Sequence, residues 1–224
     1  MLVRGARGTH QAVPGAMGRA VMTSAGAGAR LLAVGPQGLC LDYANTRCWR
    51  GLAQPKETLQ RPADLLAWCR RAGLRPLPAR LRAPAVAGLF AEAICLREVI
   101  YSVFSALATD STIAAADLSA LNAAIGQAAP RAHIARFGAG YAWQVDVRIG
   151  AAAVSAADLL SPVVWSAADL LVAARAGAVR QCAETTCRWL FLDQSRNAAR
   201  RWCDMGSCGN RAKARRHYRK RRAA

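Results

Sequence analysis

The chain has 224 residues, of which 54% are apolar, and a formal net charge of +18. This length and composition allow one medium domain with a small second one, and the basic excess indicates an anionic partner, either nucleic acid or a membrane surface. No run of 18 apolar residues is present, and the first 30 residues lack the apolar core of a secretory signal. We therefore predict a cytoplasmic protein with no membrane partner.

The N-terminal segment, residues 1–30, is rich in Gly, Ala and Arg, and we predict a disordered arm there. Met1, Met17 and Met22 are each candidate start sites. From residue 31 to residue 178 the apolar pattern is that of a globular domain, called the body below.

The body is predicted to be α+β, a helix-rich domain with a small antiparallel sheet. Residues 39–45 are expected to form a short strand that runs into a polar turn. Helices are predicted after Pro62 with a cap at Gly73, over residues 84–107 and 113–128, and from residue 155 to Gly177 with a break at Pro162. Alternating apolar residues in 141–149, after residues 134–137, predict a β-hairpin.

A candidate ligand pocket for a small-molecule effector follows the first predicted strand. Asp42, Asn45 and Thr46 bring polar groups together there. The alternative is a hydrogen-bonded turn, because Asx and Thr side chains commonly bond to nearby backbone. The sequence has no Ser/His/Asp grouping and no phosphate-cradling glycine loop, so we predict that the chain is not an enzyme.

Eight cysteines fall into two groups. Cys40, Cys48, Cys69 and Cys95 stand singly among apolar residues and are expected to be small buried side chains. The other four form two close pairs, Cys182 with Cys187 and Cys203 with Cys208, each with four intervening residues. Four thiolates form a closed tetrahedral set that suits one structural zinc ion. A reduced thiol cluster, two disulfides or an iron–sulfur cluster are the alternatives.

The segment between the two cysteine pairs is expected to fold back as a hairpin. Its predicted strands are residues 189–192 and 199–202, and its predicted turn is residues 193–197. We call residues 179–224 the finger.

A basic helix is predicted after Cys208. The finger carries more than half of the excess positive charge, since residues 180–224 contain 13 Lys and Arg against 3 Asp and Glu, a net +10 of the +18. An α-helix fits the major groove of DNA, and Arg can bond to phosphate or guanine. The predicted nucleic-acid-binding residues are Arg200, Arg201, Asn210, Arg211, Lys213, Arg215, Arg216, Arg219, Lys220 and Arg222. The alternative is a solvated tail.

The finger resembles the CGNR zinc finger. The resemblance rests on Cys182 and Cys187, the run WLFLD at 189–193, SRN at 195–197, RRWCDM at 200–205 and CGNRAK at 208–213. It implies that Cys182, Cys187, Cys203 and Cys208 are the zinc ligands. The body is similar to the ABATE domain in residues 39–46 and 64–68, a looser resemblance that spans roughly residues 31–180. Together they imply a bacterial stress-induced transcription regulator.

The sequence thus predicts a zinc-dependent DNA-binding regulator, with DNA favoured over RNA as the partner. An RNA-binding or ribosome-associated module is one alternative. A small-molecule-binding protein or enzyme with a purely structural finger is another. The oligomeric state, the DNA sequence and the direction of regulation stay open.

Overall fold

A computed structural model describes residues 38–74, 83–137, 140–145, 155–173 and 176–222 of the protein. The arm predicted for residues 1–30 lies outside these ranges. The helices are α1 (Leu39–Ala44), α2 (Pro62–Arg71), α3 (Ala83–Ala108), α4 (Ala115–Gln127), α5 (Ala156–Leu159), α6 (Ser161–Val172) and α7 (Asn210–Arg222). The strands pair as β1 (Arg47–Cys48) with β2 (Lys56–Glu57), β3 (Arg131–Phe137) with β4 (Gly140–Val145), and β5 (Val179–Gln181) with β6 (Leu190–Leu192). All three pairs are antiparallel, so the predicted α+β class is confirmed.

Helix α3 is the central element of the body. Its 26 residues span about 39 Å, and α1, α2, α4, α5 and β5 all pack against it. Ala93, Ile100, Val103 and Phe104 are fully buried along its length. The periodicity of residues 84–107 therefore predicted this helix correctly.

The segment predicted as the first strand is helical. Leu39, Cys40, Leu41, Tyr43 and Ala44 are buried, and α1 lies between α3 and α6. A short apolar run buried on nearly all sides has no periodicity that separates a strand from a helix. The strand prediction for residues 39–45 was therefore wrong.

Most of the other predicted elements of the body are present. Helix α2 begins at Pro62, and Gly73 follows it in the left-handed region, with φ 72°. The predicted helix over residues 113–128 is α4, and the predicted hairpin is β3–β4, although part of its expected second strand lies outside the described residues.

The last helical region of the body differs from the single helix predicted from residue 155 to Gly177. Pro162 stands in the first turn of α6 rather than inside one long helix. Helix α6 ends at Val172, before the predicted end at Gly177. In the described ranges, no helix is long and apolar enough to cross a membrane.

A buried ion network joins α3 to the β1–β2 region. The guanidinium of Arg97 is 1% exposed and donates two bonds of 2.7 Å to Glu57 and one of 2.8 Å to Glu98. Arg50 donates to the other side of Glu98 at 2.6 Å and lies 3.7 Å from the ring centroid of Tyr101. Burial acts to raise the pKa of both carboxyls, but the bonds from arginine lower it. Removing one member of such a network leaves a buried charge without its partner, so the network fixes the geometry of this region.

The strand partner of β6 differs from the prediction. Residues 190–192 pair with β5 at the N-terminal end of the finger, with Gln181 opposite Leu190, and not with residues 199–202. Val179 and Leu190 are buried in the core of the body, which makes this pairing the more favourable one. The segment 199–202 instead reaches the first cysteine pair through a bond from the amide of Ala183 to the carbonyl of Arg201.

The body holds the finger by hydrogen bonds to the backbone of the finger. The buried side chain of Asn45 donates to the carbonyl of Leu190 at 2.8 Å and accepts from its amide at 3.0 Å. The amide of Gly51 donates to the carbonyl of Thr186 at 3.1 Å. A Cβ at Gly51 would lie 2.0 Å from the carbonyl oxygen of Thr185, so only glycine allows this approach.

We expect Asn45→Ala to lower the free energy of unfolding by roughly 2–4 kcal/mol, because two buried backbone groups of Leu190 lose their partners. Urea unfolding of the zinc-loaded protein measures this change. Asn122→Ala, on the exposed face of α4, is the matched control and should shift stability by less than about 0.5 kcal/mol. Equal shifts for the two variants would contradict the docking role of Asn45.

Candidate metal centre and nucleic-acid interface

Four cysteine side chains from distant parts of the finger meet at one point. The Sγ atoms of Cys182, Cys187, Cys203 and Cys208 all lie within 4.8 Å of one another. The Cys203 Sγ lies 3.7 Å from the Sγ atoms of both Cys187 and Cys208. Ligands at 2.3 Å from a tetrahedral zinc ion stand about 3.8 Å apart, so the four atoms fit one structural zinc ion. The same separation is far beyond an S–S bond, and the disulfide alternative is wrong.

Each cysteine pair lies in a compact turn. In the first knuckle (residues 182–187) the amide of Cys182 donates to Trp189, and the amide of Cys187 donates to Glu184. Arg188 follows in the left-handed region, with φ 53°. The second knuckle (residues 203–208) runs into a π-helical turn, Met205–Gly209, whose first amides are capped by Asp204. A Cβ at Gly209 would lie 2.7 Å from the Sδ of Met205, so the flexible Met205 side chain would have to move to admit a larger residue there.

Aromatic rings shield the metal centre. Phe191 is buried with three of the cysteines, and Trp49, Trp189 and Trp202 pack around them. Trp49 belongs to the body, so the two parts of the chain enclose the thiols together. Burial raises the pKa of Cys187 to about 12 and also raises the pKa of Cys203, with neighbouring thiolates adding to the effect. Protons and zinc therefore compete for these sulfurs, and zinc affinity should fall as the pH falls.

The body contributes further to the placement of the first knuckle. The Tyr101 hydroxyl donates to the carbonyl of Arg188 at 2.9 Å. Gln181 donates to Ser105 at 3.0 Å and to the Tyr101 oxygen at 3.2 Å. The first knuckle thus has a fixed position on α3. Reasoning from the sequence missed these contacts, because each joins positions more than 70 residues apart.

Two arginines of the basic helix face inward. The Arg211 guanidinium lies 4.3 Å from the ring centroid of Trp49, a cation–π contact with the body. Arg215 bonds to the carboxylate of Glu184, which is 3% exposed. Burial acts to raise the pKa of Glu184, but the bond from Arg215 lowers it. These contacts hold α7 against the first knuckle and the body. Both side chains remain partly exposed, and their contact with nucleic acid stays a prediction.

The opposite face of α7 is free. Lys213 and Arg216 are exposed, and neither forms an ion pair within the described part of the chain. Position 220 lies on the same face at helical spacing, whereas Arg222 shares the face of Arg211 and Arg215 and is exposed. The side chains of Arg219 and Lys220 lie outside the described residues. Asn210 begins α7 and donates to the carbonyl of Gly206 at 3.0 Å.

The other two predicted arginines support the second knuckle. Arg200 donates to the carbonyls of Trp202, at 2.9 Å, and Cys203, and its guanidinium lies 4.5 Å from the Phe191 ring centroid. Arg201 lies 5.3 Å from the ring centroid of Trp202. Arg200 therefore has a positioning role in the finger, and its donors are partly used there.

The residues of the candidate ligand pocket are placed differently from the prediction. Asn45 is used in docking the finger, and Thr46 donates to the carbonyl of Tyr43 at 2.7 Å. Asp42 lies at the surface on α1, where partial loss of solvent around its carboxyl raises its pKa. The hydrogen-bonded turn, the alternative interpretation, describes Thr46, whereas the side chain of Asn45 bonds to Leu190, 145 residues away. Cys40 and Cys69 are buried as expected, whereas Cys95 is exposed.

Comparison with known protein families agrees with this geometry. A family model with the description "putative stress-induced transcription regulator", ABATE, matches residues 37–189, about two thirds of the chain. The chain belongs to the ABATE family. A second model, the CGNR zinc finger, matches residues 178–221. The two matches overlap at residues 178–189, the segment that contains β5 and the first knuckle and that docks on the body. A search of curated proteins found no match.

We expect the purified ABATE protein to hold one zinc ion per chain, and Cys203→Ser to lose tight zinc binding, because one of four converging ligands is removed. Metal analysis and competition with a chromophoric chelator measure both quantities. Cys95→Ser removes an exposed cysteine outside the cluster and should keep the full zinc content. Retention of tightly bound zinc by Cys203→Ser would contradict the four-cysteine assignment.

Proposed function

We propose that this protein is a zinc-dependent DNA-binding protein that acts as a bacterial transcription regulator in the cytoplasm. The observation that supports the proposal most strongly is the free face of α7. Lys213 and Arg216 project from a helix that Arg211 and Arg215 fix to the body and to the first knuckle. A helix held in this way presents its cations in a fixed orientation, which suits entry into the major groove.

Charge supports the same partner. The finger carries ten of the eighteen excess positive charges of the chain, and its few carboxylates are engaged within the protein. Glu184 bonds to Arg215, Asp193 bonds to Ser195 and Arg200, and Asp204 caps the second knuckle. Little negative charge therefore opposes a polyanion at this surface, and affinity should depend steeply on salt.

In this proposal the zinc ion is structural and the chain is not an enzyme. A set of four cysteines leaves no open coordination position for water or substrate. RNA is the competing partner, because phosphate contacts alone do not distinguish the two nucleic acids. A competition between duplex DNA and structured RNA at one ionic strength separates them, and a large preference for RNA would overturn the proposal.

The proposal includes a small-molecule effector that binds the body. A candidate place for it is an open surface groove of about 550 Å³ on α3, lined in part by Glu98, Tyr101, Ser102, Ser105 and Asp117, because Asn45 and Thr46 are already used in internal bonds. Tyr101 and Ser105 bond directly to the finger, so a molecule in the groove would touch residues that hold the first knuckle. Thermal stabilisation by a metabolite, abolished by Ser102→Trp, would support this assignment, whereas stabilisation unchanged by Ser102→Trp would place the effector elsewhere.

We expect the double variant Lys213→Ala/Arg216→Ala to bind duplex DNA roughly tenfold more weakly at low salt, because two free cations are removed. The slope of log affinity against log salt should fall by about two. Fluorescence anisotropy of the zinc-loaded protein across a salt series measures both quantities. Arg70→Ala/Arg71→Ala, at the exposed end of α2, removes the same charge from the body and should leave the slope almost unchanged. If both double variants weaken binding equally, α7 is not the interface.

A further inference from the structure

The segment between β6 and the second knuckle, residues 193–200, is a loop of defined shape. We call it the finger loop. Asp193 at its base is 6% exposed, and one carboxylate oxygen accepts the amide and the hydroxyl of Ser195 at 2.9 and 2.5 Å. The other carboxylate oxygen accepts the amide of Arg200 at 2.9 Å. These bonds close the loop at both ends, so its exposed residues stand on a prearranged backbone.

Further bonds shape the tip of the finger loop. The amide of Ala198 donates to the carbonyl of Ser195 at 3.1 Å, and the amide of Ala199 donates to the Ser195 hydroxyl at 3.2 Å. Ala198 itself is in the left-handed region, with φ 47°. A tip held so tightly exposes Arg196 and Asn197, and neither side chain contributes to the core. The order of this loop is therefore not explained by packing.

The finger loop leads directly to the start of α7. Arg200, at its end, bonds to the carbonyls of Trp202 and Cys203. The Trp202 Cδ1 atom lies 3.4 Å from where a Cβ of Gly209 would stand, one residue before α7 begins. Arg196 is four residues from Arg200, which limits their Cα separation to about 14 Å. The exposed tip of the loop therefore stands within about 14 Å of Arg200, which is bonded to the second knuckle from which α7 begins.

We propose that the finger loop is a second DNA-contacting element, in which Arg196 binds a backbone phosphate and Asn197 adds a hydrogen bond beside it. This inference rests on the proposed function of α7. The local charge favours an anion, since residues 193–204 contain Arg196, Arg200 and Arg201 against two carboxylates, Asp193 and Asp204, that are already bonded. Arg200 and Arg201 are held on the second knuckle and on Trp202, which leaves Arg196 as the extended cation of the loop. A rigid contact of this kind fixes the register of the protein on the duplex and leaves the choice of bases to other residues.

The test compares three single variants of the full-length, zinc-loaded protein on one duplex across a salt series. Arg196→Ala should weaken binding about 3–10-fold and lower the salt slope by about one. Arg196→Lys should keep the slope, because it keeps the charge. Arg136→Ala, an exposed arginine of β3 in the body, should behave as the unchanged protein. Zinc content and thermal unfolding are measured on all three variants, so that a folding defect is recognised as such.

The outcomes separate this inference from the proposed function. If Arg196→Ala matches Arg136→Ala while Lys213→Ala/Arg216→Ala loses affinity, the loop contact is wrong and the role of α7 stands. If the unchanged protein does not bind duplex DNA, the proposed function fails and the loop contact fails with it. If Arg196→Ala alters the preferred sequence and leaves the salt slope unchanged, Arg196 contacts bases, and the phosphate assignment is overturned. Binding of structured RNA in place of DNA would also overturn it.

Discussion

The convergence of four cysteine sulfurs within 4.8 Å is the constraint on which the position of α7, the proposed nucleic-acid surface, depends. Two of these sulfurs belong to the first knuckle, which bonds to Gly51 of the body, and two belong to the second knuckle, whose bonds among the described residues are within the finger. A metal ion shared by the two knuckles joins the second to the first. Helix α7 begins immediately after Cys208, and its direction is therefore set by the metal centre together with Trp49 and Glu184.

The body also holds the finger in place. Asn45, Gly51 and Tyr101 each bond to the backbone of the finger, and Trp49 both covers the thiols and stacks on Arg211. Zinc fingers that fold alone gain their stability from the metal. In this finger, Val179 and Leu190 are also buried in the core of the body. The arrangement places the cations of α7 in a fixed relation to α3. Tyr101 and Ser105 line the groove on α3, and each of them also bonds to a residue of the finger.

The sequence predicted the features that rest on local patterns and missed those that rest on distant contacts. The periodicity of α3, the alternation of β3–β4 and the spacing of the four cysteines each carry their own signal, and each prediction was confirmed. Helix α1 was taken for a strand because a short, fully buried segment has no telling period. The partner predicted for β6 was wrong because β6 pairs with β5, where Val179 and Leu190 are buried in the core of the body. The inward face of α7 could not be predicted, since Trp49 and Glu184 only reach it in the folded protein.

We expect zinc to hold the second knuckle and, with Trp49 and Glu184, the start of α7, whereas the body holds β5, β6 and the first knuckle. Hydrogen exchange of individual backbone amides, measured with zinc bound and after its removal by a chelator, tests this claim most directly. We expect amides of residues 203–216 to exchange much faster without zinc, while the amide of Leu190, bonded to Asn45, stays protected. Loss of protection at Leu190 and α3 together with α7, or unchanged protection in α7, would contradict the account.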